Sequence, residues 1–520
     1  LLPEVHVALA SVRGSGTSLQ FSSTDPVPVS SFIELLVPEI FGNRASAAYV
    51  GWFAPTEVRI YTGCTVFILA VIGAVYRRKD RWPALLMCVI FMISSMGVDT
   101  PVYPFLFRWL PGLSLFRESG RFLYIVNLFI VLLFAGGIDV LWRQPNHRPI
   151  LIFALAAGVL WLGTAFMFIE ASAKGAGVWG DFVRATAPTQ GQWFSSAISS
   201  YSLAANQTAH FAAMQALRAA GAVSLLLMLL LFFRPIFPIA ASVVAIVELF
   251  WIGLVYCPLH SSVHYYPATW TAAQKQVVGD QRVFTNDFAF ADDAMLFGAD
   301  DCSGYDPIVL NRYAEFLQLC QGSTPEANYI SVLNRLSPLL QLLRCRFVLC
   351  TDNDRHPVIV LKHPLPHVLL IGKSLVRSTE SGAFTAMNSP DFNMSDNVVV
   401  ERRPAVEPTA AGARGTATVV SQGTDWLEIQ ADTPAPAMLL ITDSYDSGWH
   451  AEALPDSSQQ HYELIPADCT LEAIALTAGH HHLIVRYVPP GFYAGCVLSG
   501  LFAMVLLFFI WPSTSAKGAA

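Results

Sequence analysis

Apolar residues are concentrated in seven stretches of the chain. They cover roughly 58–76, 83–98, 121–142, 150–169, 213–233, 235–256 and 491–511. Most are close to the length of about 20 residues that a membrane-spanning helix needs, and the second is the shortest. Between 257 and 490 the pattern changes to short apolar runs separated by polar and turn residues. The pattern predicts a polytopic α-helical membrane protein with about seven transmembrane helices and one large water-exposed domain.

The composition agrees with a membrane protein. Only 13% of the residues are charged and 54% are hydrophobic, whereas soluble domains contain about 25% charged residues. The net charge is −7, and the basic run Arg77–Lys79 is short, so nucleic acid is not an expected partner. The chain starts at Leu1 without a signal-peptide pattern, and we expect it to begin within a longer protein.

The water-exposed part divides into two predicted subdomains. Residues 257–384 alternate strand patterns such as "CRFVLCT" with helical patterns such as "DPIVLNRYAEFLQLC", which predicts a small α/β subdomain. Residues 385–490 contain one strand pattern after another, for example "DWLEIQA" and "HHLIVRYV", which predicts a β-sandwich.

Basic residues in the short loops predict the orientation in the membrane. The loops "YRRKDR", "WRQPNHR" and "FFRP" alternate along the chain, and the positive-inside rule makes them cytoplasmic. Residues 1–57 are then an extracytoplasmic segment, 58–256 a bundle of six helices, and 257–490 an extracytoplasmic domain. The last helix, 491–511, leads into a cytoplasmic tail at 512–520. This arrangement predicts a multi-pass protein of the cell membrane.

Two arginines precede the third apolar stretch. Arg117 and Arg121 are four residues apart, on the side predicted to be outside. A helix N-terminus favours an anion, and a helix extended back through both residues would present both guanidinium groups, with Glu118, on one face. Arginine forks bind phosphate oxygens in pairs, so we predict that Arg117 and Arg121 bind a lipid phosphate. The alternative is that they are interfacial anchors or form salt bridges with Glu118 or another loop.

Three carboxylates are candidates for lining a cavity near that phosphate. Glu248 is inside the sixth apolar stretch, where an ionisable group is costly and is a functional hypothesis by default. A structural pairing within the bundle explains it equally well. Asp99 and Glu170 are at predicted outer helix ends, where exposed interfacial carboxylates are the alternative.

Polar and aromatic clusters in the extracytoplasmic part suggest contacts with a sugar or acceptor. The candidates are Tyr305, Asp306, Arg312, Trp449 and His450, although turn geometry accounts for several of them. No P-loop, HExxH, GxSxG or CxxC motif is present. We identify no cofactor and no metal-binding residue, and the sequence leaves a divalent metal possible.

Several segments resemble one family in order and spacing. They are "FRESGRFLYIVNLFIVLLFAGGIDVL", "SGYDPIVLNRYAEFL", "LLQLLRCRFVLC", "PLPHVLLI" and "DSYDSGWHAEALPD" with the following "LTAGHHHLIVRYVPPGFYAGCVLS". Together these segments are similar to the C-terminal portion of the bacterial YfhO-like membrane proteins. The chain departs from the family pattern at Ser119, where proline is common, and at His367, where arginine is common.

The resemblance implies a relative of the GT-C glycosyltransferases. Such a protein transfers a sugar from a polyprenyl-phosphate carrier in the membrane to a cell-envelope polysaccharide or teichoic acid on the outer face. The implied catalytic base is in an N-terminal part that this chain lacks. The alternative from another class is a non-catalytic envelope transporter or an assembly or binding protein.

Overall fold

The structure, a computed structural model, describes residues 2–35, 38, 40–42, 60–76, 81–143, 148–174, 179, 181, 201–233, 236–256, 267–277, 279–287, 290–304, 308–322, 332–352 and 355–510. The chain divides into two compact units. The helical unit is Gly16–His260, and the β-rich unit combines Leu1–Ser15 with Ser261–Ala520.

The helices are numbered in chain order. They are α1 (Leu2–Ala10), α2 (Leu19–Ser22), α3 (Cys64–Tyr76), α4 (Arg81–Ser95), α5 (Val102–Trp109), α6 (Phe122–Arg143), α7 (Arg148–Lys174), α8 (Tyr201–Phe232), α9 (Phe237–Tyr256), α10 (Ala268–Gln274), α11 (Asn311–Cys320), α12 (Glu380–Met387) and α13 (Phe492–Ile510).

Four of the described helices are long and apolar enough to cross a membrane. Their apolar spans are Ser119–Arg143, Ala154–Ser172, Asn206–Phe232 and Phe237–Leu254. Between 22% and 39% of each apolar window is buried inside the protein, so most of each span has an apolar surface that a hydrocarbon environment accommodates. This supports the predicted membrane character.

The predicted count of seven spans is not confirmed. All seven apolar stretches contain helix, but α3 and α4 have 13 and 15 residues, and the apolar part of α13 is Phe492–Phe508. At a rise of about 1.5 Å per residue, 13 residues cover about 20 Å of a hydrocarbon core that is about 30 Å thick. The apolar stretch 58–76 starts before helix α3 does. Gly63 has φ +95°, and α3 starts only at the next residue, Cys64.

Small residues allow α3 and α6 to pack closely. A Cβ atom on Gly73 would lie 2.0 Å from the Leu133 carbonyl oxygen, and one on Gly137 would lie 2.0 Å from the Leu69 carbonyl oxygen. The two backbones therefore touch at these glycines, as at other helix interfaces built from small residues in membranes.

The β-rich unit contains thirteen described strands in three sheets. They are β1 (Arg282–Asn286), β2 (Cys345–Cys350), β3 (Val358–Val360), β4 (Val368–Ile371), β5 (Lys373–Val376), β6 (Asn397–Val400), β7 (Thr416–Gln422), β8 (Trp426–Thr433), β9 (Ala437–Ile441), β10 (Trp449–Ala453), β11 (Leu464–Ala467), β12 (Leu471–Leu476) and β13 (Gly479–Tyr487). The sheet orders are β1-β2-β3, β4-β9-β12-β11-β6-β5 and β10-β13-β8-β7. β1 and β2 are parallel, and α11 lies in the connection between them.

The six-stranded sheet is covered on both faces. Leu439 and Ile441 of β9 share a core with Leu483 and Val485 of the four-stranded sheet, whereas the alternate residue Leu440 packs in the core that contains α11 and α12. Alternation along a strand explains the division, and burial on both faces explains why β9 is apolar at every position.

One sheet combines strands from both sides of the predicted boundary at residue 385. β4 and β5 precede it in sequence but belong to the same sheet as β6, β9, β11 and β12. The pattern "HVLLIG" identified a strand without showing which sheet it joins, because its partner β9 is about 70 residues away. The predicted single segment 1–57 is also divided, since Leu1–Ser15 belongs to the β-rich unit, where α1 contacts α13.

Candidate functional site

In the helical unit, Arg117 and Arg121 converge on one carboxylate. Nη2 of Arg117 is 2.6 Å from Oε1 of Glu118, and Nη2 of Arg121 is 2.6 Å from Oε2. The Glu118 side chain is 7% exposed, whereas those of Arg117 and Arg121 are 32% and 50% exposed. Glu118 thus holds two half-exposed guanidinium groups side by side, with a net formal charge of +1.

The pair does not arise from helical spacing as predicted. Helix α6 begins only at Phe122, and a short 3₁₀ turn, Ser119–Arg121, precedes it. Glu118 adopts a left-handed backbone conformation with φ +69°, so no continuous helix runs through both arginines. Convergence therefore depends on the Glu118 carboxylate, which is the salt bridge that the sequence left open as an alternative.

Two neighbouring segments complete the surroundings of Glu118. Ser119, the residue that departs from the family pattern, is buried, and its hydroxyl donates to the Ser95 carbonyl at 3.3 Å. Asp25, which sequence reasoning missed, follows α2 with φ +51°. Burial raises the pKa of Asp25, the nearby Glu118 raises it further, and Arg117 opposes the shift. A second carboxyl group is therefore close to the arginine pair.

Glu248 accepts hydrogen bonds from the first backbone N–H groups of helix α3. Its Oε1 accepts a hydrogen bond from the backbone N–H of Cys64 at 2.6 Å, and its Oε2 accepts one from the N–H of Thr65 at 3.1 Å. The Tyr61 hydroxyl also donates to Oε1. Glu248 thus caps the N-terminus of α3, where a carboxylate satisfies N–H groups that have no partner within the helix.

Asp99 and Glu170 are both exposed. Asp99 ends a 3₁₀ turn after α4, and Glu170 is near the end of α7. Their exposure fits the interfacial alternative, and their role in lining a cavity remains a prediction.

In the β-rich unit, a cavity of about 990 Å³ opens among the strand ends. Three groups of residues line it. Aromatic rings come from Tyr313, Trp426 and Trp449, carboxylates from Asp280, Asp292, Asp300, Asp301 and Asp443, and cations from Arg282, Arg344 and His367. Ligand pockets typically have volumes of about 300–1,000 Å³, so this cavity is large enough for a ligand of several rings.

A charge network forms one part of the cavity wall. Asp443, two residues after β9, accepts on Oδ1 from Arg282 Nη2 at 2.7 Å and from Arg344 Nη2 at 2.8 Å. His367 Nε2 contacts Asp443 Oδ2 at 2.6 Å, and its Nδ1 is 2.7 Å from Asp280 Oδ2. These contacts join the three-stranded sheet to the six-stranded sheet through residues at the ends of their strands.

The network shifts the protonation of its members. Burial opposes charge on Asp443, but His367 and the two arginines outweigh it and hold the pKa of that carboxyl well below its usual range. Burial also opposes charge on His367, yet Asp280 and Asp443 together raise the pKa of the ring above its ordinary value. The two carboxylates therefore favour the cationic form of the His367 imidazole.

The two tryptophans of the lining are at the ends of strands in the four-stranded sheet. Trp426 is the first residue of β8, and the preceding turn brings Gly423 so close that a Cβ there would be 2.3 Å from the indole Nε1. Trp449 begins β10, and its ring centroid is 5.2 Å from that of Tyr487. Asp301, another lining residue, accepts hydrogen bonds from the backbone N–H and hydroxyl of Ser303, at 2.8 and 2.7 Å.

The structure separates the residues predicted to contact a sugar or acceptor. Trp449 lines the cavity, whereas the next residue, His450, is exposed and not part of the described lining, as alternation along a strand requires. Arg312 forms a bidentate ion pair with Glu401, and its Nη1 donates a hydrogen bond to the Cys469 carbonyl at 3.2 Å. Tyr305 and Asp306 are outside the described residues.

Sequence reasoning missed Trp426 and the charged residues of the network as site residues. His367 had one signal in the sequence, its position in a segment that resembles a family pattern in which arginine is common. The others are single residues beside different strands, and no local motif connects them. Within the described ranges, no group of three or more His, Cys, Asp or Glu side chains is arranged to hold a metal ion.

Comparisons with known proteins give no relatives. No family model, no curated protein and no solved structure matches the chain.

Proposed function

We propose that this chain belongs to a membrane glycosyltransferase that takes a sugar from a polyprenyl-phosphate carrier and glycosylates a cell-envelope polymer on the outer face of the membrane. The observation that supports the proposal best is the arginine pair on Glu118, directly before the long apolar helix α6. In this proposal the cell membrane contains the apolar helices, and residues 257–490 are extracytoplasmic.

The pair has the chemistry needed to hold a phosphate group. Each guanidinium group presents five N–H donors in a planar fork, and this geometry matches pairs of phosphate oxygens. A phosphate adds acceptor oxygens and offsets the net positive charge of the trio. Because Glu118 already orients both side chains, binding requires little further ordering of them.

The test replaces Arg117 and Arg121 together by glutamine in the complete protein. We expect sugar transfer at limiting carrier to fall at least about tenfold, which corresponds to about 1.4 kcal/mol of lost binding. Transfer at saturating carrier should fall less, because a contact with the carrier acts mainly on its affinity. The measurement is transfer of a labelled sugar to the envelope polymer as a function of carrier concentration.

Arg143→Gln is the matched control. Arg143 ends the same helix, is 77% exposed, and pairs with Asp139 at 2.8 Å, so its loss should leave transfer unchanged. Lysine at 117 and 121 preserves charge without the fork, and should restore part of the affinity. Wild-type transfer by the double glutamine variant at limiting carrier would remove the phosphate role.

The second candidate function is a non-catalytic envelope-binding protein. The cavity with its two tryptophans favours this candidate, since a binding site of that kind needs no transfer chemistry. Purified protein with a polyprenyl-phosphate sugar and an acceptor distinguishes the two. Transfer above a protein-free control supports the enzyme, and acceptor binding without transfer supports the binding protein.

A further inference from the structure

The cavity of the β-rich unit combines flat apolar rings with carboxylates. Trp426 and Trp449 are both partly buried, so each ring has a supported position and an accessible surface. Among the acidic lining residues, Asp300 is exposed and Asp301 is fixed in place by Ser303. Indole rings offer apolar contact area at a small entropic cost, and carboxylates accept hydrogen bonds from hydroxyl groups.

The charge of the cavity restricts the ligand. Five aspartates line it against two arginines and one histidine, which gives a net formal charge of −2 when His367 is protonated. The cations are already occupied by Asp280 and Asp443. The lining thus carries more negative than positive charge, and an anionic ligand would be repelled.

We infer that this cavity binds an uncharged saccharide, with sugar rings on Trp426 and Trp449 and sugar hydroxyls on the lining aspartates. All residues of this site belong to the β-rich unit, whereas the arginine pair belongs to the helical unit. Saccharide binding here does not depend on the proposed transfer reaction. If that reaction does occur, the acceptor enters the cavity through an uncharged sugar unit rather than through a phosphodiester.

The test uses the full chain in a detergent without a sugar head group. The neutral probes are maltotetraose, cellotetraose and chitotetraose, and the anionic probe is tetragalacturonate. We expect at least one neutral probe to bind with a Kd below about 1 mM, measured by calorimetry and tryptophan emission. Tetragalacturonate should bind at least tenfold more weakly.

Variants assign the binding to the cavity. Trp426→Ala and Trp449→Ala should each weaken binding of the neutral probe at least tenfold. Trp426→Phe, which keeps a flat ring, should retain most of the affinity. Trp109→Ala, at an exposed position of the helical unit, is the matched control. Asp300→Asn should reduce the preference for neutral over anionic probes, since it removes one negative charge.

Three results would overturn the inference. They are failure of every neutral probe to bind, tighter binding of tetragalacturonate, and wild-type affinity in both alanine variants. A normal thermal midpoint is required of each variant, and Asp300→Asn, at an exposed position, tests the site if an alanine variant fails to fold. The Arg117→Gln/Arg121→Gln protein should bind the neutral probe like wild type, so failure of the phosphate proposal leaves this result intact.

Discussion

Single side chains decide how the charges of this protein are used. The Glu118 carboxylate forms ion pairs with both Arg117 and Arg121. The left-handed backbone of Glu118 keeps these two arginines from lying on one continuous helix. His367 has the opposite arrangement, a cation between the two carboxylates of Asp280 and Asp443. In both places a buried or nearly buried residue of one charge is matched by partners of the other, as the low dielectric of a protein interior requires.

His367 should make stability depend on pH. Its pKa is raised in the folded protein, so its contribution is fully present below the unfolded value near 6.5 and is lost as pH rises through the folded value. We expect the thermal midpoint of the purified protein to fall by a few degrees over this range. Thermal unfolding followed by intrinsic fluorescence from pH 6 to 9 measures it.

His367→Arg isolates this contribution. Arginine stays charged throughout the range. The thermal midpoint of the variant should therefore lose the part of its pH dependence that His367 contributes. The comparison is needed because burial also raises the pKa of Glu472, which makes stability fall with rising pH in the same direction. Parallel wild-type and His367→Arg profiles would contradict the assignment.

At the scale of elements, one carboxylate joins two helices. Glu248 belongs to α9 and caps α3 through the backbone N–H groups of Cys64 and Thr65. Its distance along the chain from these residues, more than 180 positions, makes this a tertiary cap rather than a local one. It explains how a short apolar helix with Gly63 at its start has a defined N-terminus.

Glu248→Ala should destabilise the helical unit by about 1–3 kcal/mol, because two backbone donors lose their acceptor. Glu248→Gln keeps one acceptor oxygen and should cost less. The measurement is the thermal midpoint in detergent, with the exposed Asp99→Asn as the control. A normal midpoint together with reduced sugar transfer in Glu248→Gln would instead favour the predicted role in lining a cavity.

At the scale of the whole molecule, the apolar helices and the β-rich unit require different surroundings. The four long helices have mostly apolar surfaces, whereas the strands of the β-rich unit bury their apolar residues in cores of their own. The basic loops predict that the strand-containing residues 257–490 are on the outer face.

Cysteine labelling in intact cells tests that orientation. Thr416→Cys, at an exposed position of β7, should react with a membrane-impermeant maleimide above the wild-type background. Gln144→Cys, in the predicted cytoplasmic loop "WRQPNHR", should react only after the cells are opened. The reverse pattern would place the β-rich unit inside.

Local pattern was sufficient to predict the apolar helices and the β-rich region. Helices as long and apolar as α6 are recognisable from composition alone, and alternation along β8 and β13 shows in the residues themselves. The count of seven spans is not confirmed, because α3, α4 and the apolar part of α13 are shorter as helices than a membrane span requires. β4 finds its sheet only through pairing with β9.

The cavity was decided by tertiary structure. Trp426, His367 and Asp443 are each unremarkable in sequence, and they become neighbours because sheet pairing brings the ends of separate strands to one place. Local sequence determines which segments are helix or strand, since that depends on spacing within one segment. It does not determine which strand ends meet, because that depends on packing between segments far apart in the chain.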